Sequence, residues 1–267
     1  MAPISLQGPQ AAEIALWQRL ENIVAVVNVT NHRHPSGSRS TPFGLWCLLL
    51  FLSLFFAAIA VSNSHNSVRL SEAYLRKLES QYGYEAAVRL RRWQKLIKDI
   101  RNDSEAQKLK KVNDFFNTVR YVNDIDHWKK EDYWATPVEF LITNAGDCED
   151  YSIAKYYTLR ELGIPDSKMS IAYVKALEYN QAHMVLTYYK RRGAQPLVLD
   201  NLDPVIKPAR KRKDLLPVYS FNADYLWLAK KRGGGQLVGG SERLSLWQDL
   251  RQRQSNFFQT TGSKQES

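Results

Sequence analysis

Cysteine is scarce in this 267-residue chain, which has only Cys47 and Cys148. So few cysteines exclude a small scaffold held together by several disulfides. Cys47 lies inside a long apolar segment, and if that segment is removed or enters a membrane, Cys148 is the only thiol in the remaining chain. No intramolecular disulfide can then form, and a solitary cysteine in an exported protein is a candidate reactive thiol.

Long apolar runs are also rare, and the one present, residues 43–61, carries no charged side chain. As a helix its 19 residues would extend about 28 Å, close to the roughly 30 Å of a hydrocarbon core. Ala58-Ile59-Ala60 also fits a signal-peptidase site, so we expect either a signal peptide or a membrane anchor here, after an N-terminal flank over 1–42. Arg33 and Arg39 ahead of the segment predict a cytoplasmic N-terminus, with the rest of the chain on the other side of the membrane.

Acidic residues are fewer than basic ones, 27 against 37, which gives a formal net charge of +10. Apolar residues still make up 44% of the chain, enough to bury a core, so we expect a globular protein. Five basic residues cluster within 207–213, yet no nucleic-acid recognition motif accompanies them, and export argues against such a partner. We predict a solvated loop there, with contact to an acidic protein or a membrane surface as the alternative.

One turn stands out, because the small residues Asn144-Ala145-Gly146 lead into Asp147-Cys148-Glu149-Asp150 and then into apolar residues at helical spacing. The spacing predicts a helix that ends near Gly163 and carries Cys148 in its first turn. Free backbone N–H groups and the positive end of the helix dipole favour a thiolate there and can hold an oxyanion. A lone cysteine is more often a small buried apolar residue, but three acidic neighbours argue against an apolar environment.

These acidic neighbours pose a problem for a nucleophilic thiol, because negative charge raises the pKa of a thiol. A hard cation held by oxygen ligands would neutralise them, and calcium suits clustered carboxylates. We therefore expect Asp147, Glu149 and Asp150 to contribute to a calcium site, with a solvated acidic helix start as the alternative. Asn123-Asp124-Ile125-Asp126 also suggests a calcium loop, but it lacks the glycine and terminal glutamate of an EF-hand, and we discount it.

Histidines are few as well, and of the five only His183 lies in a convincing strand, the β-prone run 182–189. The next apolar run begins at Pro196 and ends at Asp200. Pairing of these runs in a hairpin brings Asp200 near His183, where the carboxylate can orient the imidazole ring and stabilise its charged form. The sequence thus predicts a triad of Cys148, His183 and Asp200.

Helical and strand patterns occupy different parts of the chain. Apolar stripes at helical spacing within 66–121 predict three helices, with a cap before the third, and residues 169–174 have the pattern of a further strand. We predict an α+β domain over 66–232, in which the N-terminal helices and the Cys148 helix pack on an antiparallel sheet. Glycines near 233–240 predict a linker, and 233–267 is expected to be a flexible C-terminal tail or to contain one loose helix.

The motifs together resemble one family. The chain is similar to the bacterial transglutaminase-like cysteine proteinases over roughly residues 70–230. The blocks that carry the resemblance are Trp134-Ala135-Thr136-Pro137, Gly146-Asp147-Cys148-Glu149-Asp150-Tyr151-Ser152-Ile153-Ala154-Lys155, Ala182-His183-Met184-Val185-Leu186, Leu199-Asp200-Asn201 and Asp214-Leu215-Leu216-Pro217-Val218-Tyr219.

The resemblance implies a papain/transglutaminase-like core. In such a core Cys148 is the nucleophile, His183 is the general base and acid, and Asp200 orients the imidazole. The resemblance also implies that calcium is required at Asp147 and Glu149, with Asp150 as an additional ligand.

The same resemblance also implies a location, a substrate and a regulator for the protein. It implies a periplasmic protease that cleaves a large cell-surface adhesin near its N-terminus, at paired alanines, which releases the adhesin and disperses biofilm. It further implies that an inner-membrane receptor that binds cyclic di-GMP holds the protease inactive. Two other interpretations of the residues stay open: a transglutaminase or amidase that uses the same triad with a different acyl acceptor, and a non-catalytic calcium-dependent docking protein.

Overall fold

The computed structural model describes residues 70–229 and 235–262, with side chains described as far as Asn256, and three helices precede the first strand of this part. No helix within these ranges is long and apolar enough to cross a membrane. The predicted N-terminal flank over 1–42 and the predicted signal peptide or anchor over 43–61 lie outside the described residues.

Three N-terminal helices occupy the places that the apolar stripes predict. Helix α1 covers Glu72–Tyr82, α2 covers Tyr84–Asp99 and α3 covers Glu105–Phe116. Gly83 separates the first two with a positive φ of 86°, a conformation that costs glycine little. Ser104 caps α3, as the sequence predicts, and its side chain accepts a hydrogen bond from the backbone of the first turn.

A short irregular region then leads to the Cys148 helix. It contains β1 (Arg120–Tyr121), α4 (Asp124–His127), α5 (Pro137–Thr143) and β2 (Ala145–Gly146). Strands β1 and β2 pair in parallel, with Arg120 opposite Ala145. Asn144 ends α5 in the left-handed region, with a φ of 53°, which asparagine adopts more readily than most residues. Helix α6 follows over Cys148–Glu161, so Cys148 is in its first turn, as predicted.

Seven antiparallel strands of the described chain form the main sheet. They are β3 (Met169–Ala176), β4 (Gln181–Tyr188), β5 (Leu197–Leu199), β6 (Lys207–Pro208), β7 (Leu215–Phe221), β8 (Tyr225–Ala229) and β9 (Gly235–Gly240), in the spatial order β6-β5-β4-β3-β7-β8-β9. Leu186 of β4 pairs with Leu199 of β5. This pairing confirms the hairpin predicted between the His183 and Asp200 strands.

Helix α6 contacts both the N-terminal helices and the sheet. Trp93 of α2 donates from Nε1 to Thr158 Oγ1 at 2.9 Å, inside the core. On the sheet side, Ser152 Oγ donates to the backbone oxygen of Met184 in β4 at 3.1 Å. Both hydroxyls are buried, and their hydrogen bonds offset the cost of removing them from water. The architecture is α+β, as predicted.

For the C-terminal segment the sequence predicted a flexible tail or one loose helix; the structure has a helix there, but it is packed on the domain and not loose. The described part of 233–267 is not a flexible tail, because β9 joins the sheet and a long helix, α7 (Ser245–Gly262), follows it. Trp247 and Leu250 of α7 are fully buried. Trp247 packs against aromatic rings of α6 and β7, with centroid distances of 5.9, 5.8 and 5.2 Å to Tyr156, Tyr157 and Phe221. Burial of these apolar side chains holds the segment on the domain.

The glycines that suggested a linker allow strands β8 and β9 to lie close together. A Cβ atom on Gly235 would lie 2.8 Å from the Cβ of Trp227, well inside the normal separation of carbon atoms. Gly239 has a φ of 147°, which favours glycine. Glycine is common in linkers, but at these two positions strand β9 requires it.

Candidate active site

Gly146 and Asp150 shape the turn that presents Cys148. A Cβ on Gly146 would lie 2.2 Å from Asp150 Oδ2 and 2.8 Å from the ring of Phe140, so glycine alone fits. The Asp150 carboxylate accepts from the backbone N–H of Asp147 at 3.3 Å and from that of Ala135 at 2.7 Å. These bonds close the start of α6 and fix Cys148 at the position where helical N–H groups lack intrahelical partners.

The Cys148 thiol lies among groups that oppose its ionisation. Burial raises its pKa well above the ordinary value, and the negative charges of Glu149 and Asp147 raise it further. The thiol donates a hydrogen bond to Glu149 Oε2 at 3.1 Å. The backbone amide of Met184 acts in the opposite direction and favours the thiolate. The conflict that the sequence predicts between the thiol and its acidic neighbours is thus present in the structure.

His183 and Asp200 form a buried pair. His183 Nε2 lies 2.7 Å from Asp200 Oδ1, and the two residues are 3% and 1% exposed. Burial alone would raise the pKa of Asp200, but the hydrogen bond and charge of His183, the Leu202 amide and Arg212 lower it to about 2. The carboxylate therefore stays ionised and accepts the Nε2 proton. The ring nitrogen that remains to exchange a proton is Nδ1.

Strand β4 brings the sulfur and the imidazole to one region. The Cys148 sulfur lies against the amide of Met184, the residue that follows His183. The charge of His183 in turn acts on Asp147, the residue that precedes Cys148. The start of α6 therefore lies against strand β4, and His183 of β4 in turn contacts Asp200 at the end of β5.

Five carboxylates gather beside Cys148. Oxygens of Asp124, Asp132 and Glu149 lie within 4.8 Å of one another, and so do those of Asp124, Asp147 and Asp150. The structure thus unites the three residues predicted to bind calcium and adds two. The segment discounted as a calcium loop, Asn123-Asp124-Ile125-Asp126, nevertheless contributes the side chain of Asp124, because three separate segments of the chain build the cluster. Asp132 belongs to no motif, so only the fold reveals it.

The cluster fits a divalent cation. Burial and the charge of Asp147 raise the pKa of Asp124 to about 7, and burial raises the pKa of Glu149 and of Asp150 well above their ordinary values. Asp124 Oδ1 and Asp147 Oδ1 are buried and have no hydrogen-bond partner among the described residues. Carboxylate oxygens that repel one another and lack donors are the ligands that calcium takes.

The loop between α4 and α5 supports this cluster through its backbone. The N–H of Tyr133 donates to Asp124 Oδ2, and that of Ala135 to Asp150 Oδ1. Arg253 of α7 holds the same loop, because its Nη2 donates to the backbone oxygen of Trp134 at 2.6 Å. The C-terminal helix therefore helps to set the shape of the candidate metal site, although the sequence predicted a flexible tail there.

One residue of the basic run belongs to the candidate active site. Arg210, Lys211 and Lys213 are exposed, as expected for a solvated loop, but Arg212 is only 5% exposed. Its Nη2 donates to Asp200 Oδ2 at 2.7 Å. The prediction of a solvated loop is therefore wrong for Arg212, which no local signal distinguishes from its neighbours.

The chain is similar to known proteins in both sequence and fold. The family described as bacterial transglutaminase-like cysteine proteinase BTLCP matches residues 86–221. Calcium-bound LapG of Legionella pneumophila is 41% identical, with a TM-score of 0.59, and the match covers 68% of this chain and 98% of that one. EGTA-treated L. pneumophila LapG is 40% identical, with a TM-score of 0.59, over 67% of this chain and 96% of that one. The search of curated proteins gives no match.

Proposed function

Because the chain belongs to the bacterial transglutaminase-like cysteine proteinases, we propose that it is a calcium-dependent cysteine endopeptidase. Cys148 is the nucleophile, His183 the general base and acid, and Asp200 the carboxylate that orients the imidazole. The observation that carries the proposal is the buried 2.7 Å contact between His183 Nε2 and Asp200 Oδ1. The Cys148 sulfur lies beside the next amide along the His183 strand.

Acylation begins with transfer of the Cys148 proton to Nδ1 of His183, since Nε2 faces Asp200. The thiolate attacks the carbonyl carbon of the scissile peptide bond, and the carbonyl oxygen becomes an oxyanion. The backbone N–H of Cys148, at the start of α6, is a donor for that oxygen. The carbon–nitrogen bond then breaks, His183 gives its proton to the leaving amine, and a thioester on Cys148 remains.

Deacylation uses water as the second nucleophile. His183 takes a proton from the water that attacks the thioester, and it returns a proton to the sulfur as the carbon–sulfur bond breaks. The acyl fragment leaves with a new carboxylate. Asp200 keeps the imidazole in one orientation and stabilises its charged form in both halves of the reaction. In a transglutaminase an amine would replace this water, so the acyl acceptor separates the two activities.

Asp147, Glu149 and Asp150 would hold the calcium ion, with Asp124 and Asp132 completing the carboxylate set. A bound cation supplies positive charge beside the carboxylates that raise the pKa of Cys148, and so favours the thiolate. The calcium-bound and EGTA-treated structures of L. pneumophila LapG support a calcium requirement in this chain.

The substrate that we propose is the N-terminal region of a large cell-surface adhesin, cut at paired alanines. Its cleavage would release the adhesin and disperse biofilm. We place the reaction in the periplasm, under the control of an inner-membrane receptor that binds cyclic di-GMP and holds the protease inactive. The support for this biology is the family resemblance of the sequence blocks around Cys148, His183 and Asp200.

The test is cleavage of a recombinant adhesin N-terminal region by the purified protein, in calcium and in EGTA, with a primary amine present. Mass spectrometry of the products should find a new C-terminus at paired alanines and no incorporated amine. Cys148→Ala should be inactive while still binding calcium. Calcium addition after EGTA should restore cleavage.

Three results would contradict the proposal. Incorporated amine without hydrolysis would identify a transglutaminase. Cleavage by Cys148→Ala would exclude this thiol as the nucleophile. Full activity after exhaustive chelation would remove the calcium requirement.

A further inference from the structure

Arg212 is a buried cation inside a run of surface basic residues. Burying a guanidinium is costly unless its charge is paired. Arg212 Nη2 lies 2.7 Å from Asp200 Oδ2 and 2.6 Å from Asp214 Oδ2, and its Nε lies 3.0 Å from Asp214 Oδ1. The side chain therefore bridges two carboxylates, one of which contacts His183.

Arg212 completes the hydrogen bonding of the Asp200 carboxylate. Oδ1 accepts from His183 Nε2 at 2.7 Å and from the Leu202 N–H at 3.0 Å, while Oδ2 accepts from Arg212. A carboxylate held through one oxygen can turn about χ2, which is a soft torsion. Charge-assisted bonds to both oxygens fix its plane. That plane sets the direction of the His183 Nε2–H bond, and hence the orientation of the ring.

Arg212 also supplies a permanent positive charge to Asp200. The charged groups around Asp200 are His183 of β4, Arg212, Lys155 of α6 and Asp214, whose negative charge repels that of Asp200 directly. Asp203 also faces Arg212, with its Oδ2 3.9 Å from Arg212 Nε. Burial lowers the pKa of Lys155 to about 7, although Asp200 opposes the fall. Burial also disfavours the charged form of Arg212, but the hydrogen bonds to Asp214 and Asp200 outweigh it and raise the pKa of Arg212.

We propose that Arg212 is a positioning residue of the protease site: it fixes the carboxylate of Asp200, which in turn fixes the imidazole of His183. The inference rests on the proposed function, because it assigns Arg212 a role in that reaction. Arg212 acts through Asp200 and does not itself contact the reacting atoms. The alternative is a structural role, in which Arg212 only ties the segments around Asp200 and Asp214 together.

Steady-state cleavage of the adhesin region by Arg212→Gln tests this role. Glutamine retains a donor but cannot bridge both carboxylates, so kcat should fall roughly 10- to 100-fold, the effect expected when a catalytic group is misplaced. KM should stay close to the wild-type value, because the role proposed for Arg212 is to orient His183 through Asp200 and not to bind substrate. Arg210→Gln, at an exposed position in the same run, should keep the wild-type kcat.

Asp214→Asn is the matched structural control. This substitution weakens the ion pair between Arg212 and residue 214 but leaves the Arg212 bond to Asp200. It should therefore lower the melting temperature while reducing kcat less than Arg212→Gln does. Circular dichroism and the melting temperature of each variant confirm that folded protein is compared with folded protein.

Chemical rescue tests whether the guanidinium charge beside Asp200, rather than its covalent link to residue 212, supports kcat. Arg212 lines a cavity of about 410 Å³, which offers a guanidinium ion a route to the space vacated in Arg212→Ala. Millimolar guanidinium, far below denaturing concentrations, should restore part of the kcat of Arg212→Ala. The same addition should leave His183→Ala inactive.

Proton NMR separates failure of this inference from failure of the proposed function. The Nε2–H proton of His183 should give a downfield resonance that is absent from His183→Ala and is shifted or broadened in folded Arg212→Gln. This readout needs no substrate, so it decides the role of Arg212 even where no cleavage is found. An unchanged resonance in folded Arg212→Gln overturns the inference and leaves the protease proposal intact. Equal losses of kcat in Arg212→Gln and Asp214→Asn, without guanidinium rescue, also overturn it.

Discussion

The carboxylate cluster predicts that calcium and pH act together on stability. In the calcium-free protein, burial and the charge of Asp147 raise the pKa of Asp124 from 3.8 to about 7. Since one pKa unit corresponds to about 1.4 kcal/mol, ionising Asp124 in the folded calcium-free protein costs about 4 kcal/mol. Between about pH 4 and pH 7 the folded state keeps a proton that the unfolded state has lost, so stability falls as the pH rises through this window.

The expected observation is a calcium effect on melting temperature that grows with pH. Calcium-stripped protein should melt roughly 5–10 °C lower at pH 8 than at pH 5, because about 2–3 kcal/mol of this energy is lost between those two pH values and a domain of this size loses about 2–4 °C per kcal/mol. Added calcium should remove most of that difference, because it stabilises the ionised carboxylates at pH 8 and competes with protons at pH 5. Differential scanning calorimetry at the two pH values, with and without calcium, measures all four states.

Asp124→Asn is the matched control for this experiment. Asparagine keeps the size of the side chain and can still accept the Tyr133 N–H, but it carries no negative charge. At pH 8 the calcium-free variant should therefore be more stable than calcium-free wild type, and it should gain less from calcium. Equal stability of calcium-free wild type at pH 5 and pH 8 would refute the reasoning. So would an Asp124→Asn variant that melts below wild type at pH 8 without calcium.

Three further predictions concern residues outside the carboxylate cluster. Trp247→Ala should lower the free energy of unfolding by about 3–5 kcal/mol in urea titrations, because it empties a fully buried aromatic site, and Trp247→Phe should lose less. Arg253→Met removes the bond to the Trp134 carbonyl and should weaken calcium binding about 10-fold by calorimetric titration; unchanged affinity would show that α7 does not support the metal site. Asp200 has its pKa lowered to about 2, so its contribution to stability is present above about pH 4 and is lost as the pH falls to about 2. Urea midpoints over that range should show this loss in wild type and not in Asp200→Asn.

Local patterns predict the elements of this fold whose signals lie in one stretch of chain. The stripes of α1 to α3, the Ser104 cap and the small-residue turn before α6 depend only on nearby residues, and the structure contains each of them. Helix α7 is different, because the burial of Trp247 depends on Tyr156 and Phe221, which are distant in sequence. A polar segment with a few apolar residues has the same local pattern whether or not the domain offers a surface to cover them.

The residues of the candidate site also differ in whether a local sequence pattern identifies them. Cys148, His183 and Asp200 each stand at a recognisable place, at a helix start, within a strand and at a strand end, so the sequence predicts their convergence. Asp132 lies in a loop without periodicity, and Arg212 lies among basic residues that are exposed. Only long-range contacts reveal that these two side chains belong to the site.

In the proposed enzyme, Glu149 in the first turn of α6 would link metal binding to the chemistry of the Cys148 thiol. Glu149 Oε2 accepts the proton of the Cys148 thiol at 3.1 Å, and the same carboxylate belongs to the group that fits calcium. Glu149 can thus stabilise either the protonated thiol or a bound cation. If Glu149 held a cation, it would no longer be free to accept the thiol proton, and by reciprocity a thiolate at Cys148 would strengthen binding of that cation. Acidic residues beside a nucleophile, unfavourable by themselves, would then confine activity to compartments where calcium is abundant.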